Sequence, residues 1–130
     1  MGEPVTGQQL QGIHVLLVED DDSALHVLQR ALALWGAVVS IATGASALGA
    51  AVRADVILVD LATAEAAGDE FLVQLQRRHS RPNRRVPIIG LAPLGMAIRA
   101  TLRAAGVERY LLKPVDTDRL RATVLELARE

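Results

Sequence analysis

Along this chain, short apolar runs rich in Val, Ile and Leu alternate with amphipathic stretches of about ten to fourteen residues. That alternation predicts βα units, with strands at 13–18, 37–41, 56–59, 86–91 and 109–112 and five helices between and after them. The first helix starts after Asp22 or Ser23, carries Leu25, Leu28, Leu32 and Trp35 on one stripe, and stops at Gly36. A short second helix is expected over 45–53. A third is expected over 69–79, with Phe71, Leu72 and Leu75 inward and the turn Ser80-Arg81-Pro82-Asn83 behind it. The fourth runs over 96–105 to a stop at Gly106, and the fifth opens on the cap Asp116 and aligns Leu120, Val124 and Leu127. Strands that read as nearly continuous apolar runs are buried on both faces, so helices must cover both sides of a parallel sheet. The expected fold is a three-layer, doubly wound α/β domain.

The ends of the apolar runs are the informative positions. Val15-Leu16-Leu17-Val18 ends on Glu19-Asp20-Asp21, Val56-Ile57-Leu58-Val59 on Asp60, and Tyr110-Leu111-Leu112 on Lys113-Pro114, whereas Pro87-Ile88-Ile89-Gly90-Leu91 ends on Ala92. In an open parallel sheet the carboxyl ends of neighbouring strands line one crevice. Carboxylates crowded there cannot all ionise cheaply unless a cation sits among them. Magnesium is the natural choice, with its preference for hard oxygen ligands and its habit of taking one or two carboxylates and keeping several waters. Asp20 and Asp60 would bind it directly and Glu19 through a water, and the remaining protein ligand could be a backbone carbonyl just past Asp60, at Ala62. The run Glu19-Asp20-Asp21-Asp22 lacks the alternating acids of a calcium loop. Asp21 and Asp22 read as helix-start acids.

The 130 residues, 51% hydrophobic and 22% charged, fit one domain, expected over 13–130 behind a flexible leader over 1–12. A net charge of -1 gives no global attraction to nucleic acid or acidic membrane. The chain holds no cysteine, so disulfides and thiolate metal sites are excluded. No apolar run approaches the roughly 20 residues of a membrane span, and the start has no signal-peptide pattern, so the expected location is the cytoplasm. Thirteen of the 14 basic residues are Arg, which leaves Lys113 as the only Lys, placed where a compact point charge differs from a planar fork.

From about Gly12 to Arg129 the chain resembles a response-regulator receiver domain of two-component signalling. The residues that carry the resemblance are Val18-Glu19-Asp20-Asp21, Asp60, Lys113-Pro114 and Tyr110. The lead-in Leu10-Gln11-Gly12 and the run Lys113-Pro114-Val115-Asp116 look most like receivers attached to hybrid histidine kinases. The resemblance implies a flavodoxin-like five-stranded sheet of order 2-1-3-4-5. It also implies a phosphoacceptor rather than a turnover enzyme. A phosphoryl group would pass from a phosphohistidine, on a sensor histidine kinase or histidine phosphotransfer protein, to Asp60. Magnesium would sit at Glu19, Asp20 and Asp60, with Lys113 pairing to Asp60 or to the phosphoryl group. Tyr110 would act as a switch, and the face of the fourth helix, fifth strand and fifth helix would meet a downstream protein.

The sequence also departs from the family. Receivers usually end the fourth strand on Thr or Ser, and here the position is Ala92. After Asp60 the family's Met-Pro and Asp-Gly are replaced by Thr63-Ala64 and Ala67-Gly68, and the stretch from Ala92 to Lys113 is one residue short. A hydrogen bond to a charged group contributes roughly 1.5–3 kcal/mol against the roughly 5.5 kcal/mol that a full two-state swing requires. The phosphoacceptor chemistry therefore reads as intact and the switch as altered. Thr63 could offer a hydroxyl from the other side of the site. The alternative is a pseudo-receiver, an interaction module that phosphorylation does not regulate. A hydrolase using Asp60 as nucleophile lacks an acid-base partner. His14, His26 and His79 have no ligand spacing, and Arg77, Arg78, Arg81, Arg84 and Arg85 read as a solvated turn because no aromatics interleave them. A dinucleotide site fits more poorly still, because acids follow the first strand where a Gly-rich loop is required.

Overall fold

The computed structural model describes residues 9–50, 53–68, 70–95 and 106–129. Five strands, β1 (His14–Val18), β2 (Val38–Ala42), β3 (Val56–Asp60), β4 (Ile88–Ala92) and β5 (Val107–Leu112), form one sheet of order β2-β1-β3-β4-β5. All four neighbouring pairs are parallel, as the alternation predicted. The register aligns Val18 with Val59 and Asp60 with Leu91, which brings the acidic strand ends to one edge. Between Ile88 and Ile89 the pairing with β5 slips by one residue.

Residues of β1, β3 and β4 alternate between two cores. Leu16, Val18, Ile57, Val59 and Ile88 face one side, where Leu61, Phe71, Leu72 and Leu75 cover them. Val15, Leu17, Val56, Leu58, Ile89 and Leu91 face the other, under Leu28, Leu32, Leu120, Val124 and Leu127. The central strands β3 and β4 are buried at every position, whereas the edge strands β2 and β5 are partly exposed. Burying one such Leu or Ile contributes about 1.5–3 kcal/mol, so the alternation itself holds the register.

Four α-helices and one 3-10 helix occur among the described residues: α1 (Asp22–Leu34), the 3-10 turn (Gly44–Gly49), α2 (Leu61–Ala67), α3 (Phe71–His79) and α4 (Thr117–Ala128). Asp21 caps α1 by accepting the Ala24 N–H at 2.8 Å, and Asp116 caps α4 by accepting from Asp118 and Arg119. The expected helix over 45–53 is a short 3-10 turn, held by the Ser46 hydroxyl donating to the Thr43 carbonyl at 2.6 Å. The helix expected over 96–105 lies outside the described residues.

The pattern reading missed α2. Leu61-Ala62-Thr63-Ala64-Glu65-Ala66-Ala67 consists mostly of helix formers with no Pro, and it follows Asp60, a good N-cap. Its seven residues are too short for a periodic stripe to show. Ordered packing also begins ahead of residue 13: Leu10 is fully buried, and its N–H donates to the Trp35 carbonyl at 2.8 Å. Gly36, at φ 89°, permits this approach, because a Cβ there would stand 3.1 Å from the Gln11 Cα.

Candidate functional site

The strand ends converge on a cleft of about 530 Å³ whose lining includes Glu19, Asp20, Asp60, Ala62, Thr63 and Lys113. Glu19 leaves the end of β1 almost fully buried, with 1% of its surface exposed. Its Oε2 accepts from Lys113 Nζ at 2.7 Å and its Oε1 from the Asp21 N–H at 3.2 Å. Asp20, the next residue, is exposed at the mouth. Asp60, the last residue of β3, is buried and presents its two oxygens to different partners. Oδ2 accepts from the Thr63 hydroxyl at 3.0 Å and the Thr63 N–H at 3.3 Å. Oδ1 lies 3.2 Å from Lys113 Nζ, an ion pair, and no other donor reaches it among the described residues.

Lys113 is placed by its backbone as well as by its charge. Its N–H donates to the Ala92 carbonyl at 2.9 Å, so the ends of β4 and β5 carry the ammonium into the cleft between Glu19 and Asp60. Burial alone lowers its proton affinity, but the hydrogen bond to Glu19 and the charges of Asp60 and Glu19 outweigh it and hold the pKa above the ordinary lysine value. Lys113 is therefore a fixed cation shared by two carboxylates.

The donor set suits a hard cation. Asp60 Oδ1 is buried with only the Lys113 ammonium beside it at 3.2 Å, an acceptor with capacity to spare next to two further carboxylates. Among the described residues no three His, Asp or Glu side chains close into a ready-made cage. Magnesium does not require one, since it keeps waters and needs only one or two carboxylates. Ala62 lines the same cleft but stands in the first turn of α2, where a carbonyl is directed along the helix axis toward the N–H four residues on.

The remaining expected residues lie around this centre. Ala92, at the end of β4, is fully buried and presents only a methyl group. Tyr110 is half-buried on β5, opposite Gly90 in the register, and packs against the core that contains Leu61 and Phe71. Asp21 is occupied as a cap and stays out of the ion-pair network. Sequence reasoning offered Thr63 only as a spare hydroxyl; its local signal was the three-residue step from Asp60, the reach of an N-cap side chain.

Comparison with known proteins bears on the family and the fold. The family model described as the response regulator receiver domain matches residues 15–125. The transcriptional regulatory protein ZraR of Salmonella typhimurium is 32% identical over 117 residues, covering 86% of this chain and 25% of that protein. Its namesake from Klebsiella oxytoca is 30% identical over 128 residues, covering 94% and 27%. The chain thus spans about a quarter of the length of these curated relatives. Among solved structures, the receiver domain of sensor histidine kinase PA1611 from Pseudomonas aeruginosa, with magnesium coordinated in its active site cleft, superposes with a TM-score of 0.75. That match has 26% identity and covers 92% of this chain and 99% of the other. A two-component response regulator from Clostridium difficile reaches a TM-score of 0.78 at 18% identity over 91% and 97% of the two chains, a likeness of fold alone. A sheet of order 2-1-3-4-5, an acidic cleft at its carboxyl edge and a family match across most of the length lead to one conclusion: the chain belongs to the response regulator receiver domain family.

Proposed function

We propose that this domain accepts a phosphoryl group on Asp60 from a phosphohistidine of a sensor histidine kinase or histidine phosphotransfer protein. The observation that carries the proposal is the buried Asp60 carboxylate, held by Thr63 on one oxygen and facing Lys113 with the other. In the transfer an Asp60 oxygen attacks phosphorus. The phosphorus–nitrogen bond breaks with its electron pair on the imidazole, which then takes up a proton. Such a reaction asks the protein mainly to position the groups and neutralise charge. Lys113, fixed by Glu19, meets the charge on the phosphoryl oxygens as it leaves Asp60 Oδ1. Glu19, Asp20 and Asp60 would hold magnesium, which would supply further neutralisation of the same oxygens. The acyl phosphate is the signalling state, so the domain is a phosphoacceptor and not a turnover enzyme.

The test is incubation with magnesium and phosphoramidate, followed by intact-mass measurement. A gain of one phosphoryl group in the wild type and none in Asp60→Asn is the expected result. No gain at saturating donor overturns the proposal. Ala92, fully buried and without a hydroxyl, favours a second reading, in which the domain is an interaction module that phosphorylation does not regulate. Under that reading a downstream partner binds the phosphorylated and unmodified forms equally.

A further inference from the structure

We infer that Thr63 is the positioning residue that couples α2 to the phosphorylation state of Asp60, in place of a hydroxyl at the end of β4. This inference rests on the phosphoacceptor reading above. Thr63 is buried, and both its hydroxyl and its N–H donate to Asp60 Oδ2. At the end of β4, Ala92 offers no donor from its side chain.

The direction of the change follows from where the charge goes. In the carboxylate it is shared between Oδ1 and Oδ2. When the bond from Asp60 to phosphorus forms and the donor leaves with its electron pair, one Asp60 oxygen becomes the bridge of an acyl phosphate and the other a neutral carbonyl. The negative charge moves out to the phosphoryl oxygens, which become the stronger acceptors. A hydroxyl rotates to suit its acceptor, so the Thr63 donor leaves Oδ2 for a phosphoryl oxygen.

The first turn of α2 also connects to the sheet. Leu61 is fully buried and packs so closely on Gly90 that a Cβ at residue 90 would stand 2.9 Å from Leu61 Cδ2. A changed bond at Thr63 therefore reaches β4 through the Leu61–Gly90 contact, with no hydroxyl needed at residue 92. Packed cores respond to such displacements by repacking rather than by smooth deformation.

The experiment titrates the full chain with beryllofluoride in saturating magnesium and follows amide exchange over residues 64–67. Thr63→Val removes the hydroxyl at nearly constant shape, Thr63→Ala is a second hydroxyl-free variant, and Thr63→Ser keeps the hydroxyl. Thermal melts establish which variants fold. Because the hydroxyl bonds an anionic oxygen in both states, only the difference in bond strength counts: beryllofluoride binding is expected to weaken about 3- to 10-fold in Thr63→Val and Thr63→Ala, with Thr63→Ser within about twofold of wild type. Beryllofluoride is expected to change exchange over 64–67 in the wild type and Thr63→Ser only. Tight binding in the wild type matched by a folded hydroxyl-free variant, in affinity and in exchange, overturns the inference and leaves the phosphoacceptor reading standing. Equal failure of a folded Thr63→Ser also overturns it. No binding by the wild type overturns both.

Discussion

The two ends of the sheet each carry a charged cluster, and the clusters differ in what remains unmet. At the amino edge, Arg84 donates to three backbone carbonyls, those of Asp55 at 3.1 Å, Leu127 at 3.2 Å and Ala128 at 3.3 Å. Beside it, Asp55 accepts the His14 N–H at 2.9 Å and pairs with Arg81 at 3.6 Å. That cluster ties the end of α4 to the start of β3. At the carboxyl edge, one ammonium serves two carboxylates, and Asp60 Oδ1 has that ion pair at 3.2 Å as its one partner among the described residues. Charge density does not separate the two ends; unmet hydrogen-bonding capacity does.

The most drastic way to break the contrast is Asp60→Asn. It is expected to abolish the phosphoryl adduct completely while the fold persists, measured by intact mass alongside a thermal melt. Lys113→Met should slow adduct formation by about 100-fold, since it removes a charge aimed at the reacting oxygens. It also leaves buried Glu19 without its counter-ion, at a cost of about 3–5 kcal/mol in denaturant unfolding. Arg84→Met is the converse: it should cost about 3 kcal/mol through the loss of charged donors to three carbonyls, with beryllofluoride affinity unchanged. An altered affinity there would erase the distinction between the two ends. Ala92→Thr is expected to tighten beryllofluoride binding several-fold, about the worth of one added hydrogen bond, as read by titration.

The smallest effect is on pH. Lys113 is held above its ordinary pKa in the folded state, so it contributes stability that is fully present below its unfolded value of about 10.4. That contribution is lost as pH rises through the raised value. Alkaline melts should therefore separate wild type from Lys113→Met at and below pH of about 10 and converge above the raised pKa.

Much of this was legible from single residues. Asp116 announced α4, Gly36 the end of α1, and the stripes Leu25-Leu28-Leu32 and Leu120-Val124-Leu127 their buried faces. Where signals were short or indirect, reading failed. α2 is too brief for periodicity, and the stretch over 45–53, rich in Ala and Gly, did not reveal a 3-10 turn. Arg84 looked like part of a solvated turn because its acceptors are backbone carbonyls 29 to 44 residues away, which no side-chain pattern records.

The sequence by itself determined the sheet, its two buried faces and the set of charged residues at the carboxyl edge, because burial of a parallel strand and the period of a helix are local properties of the chain. Only the tertiary structure decided that Lys113 stands between Glu19 and Asp60, that Thr63 takes one Asp60 oxygen and leaves the other, and that Leu61 lies on Gly90. Those are contacts of specific atoms, some between residues as far as 94 positions apart, set by strand register and by the exit of α2 from β3.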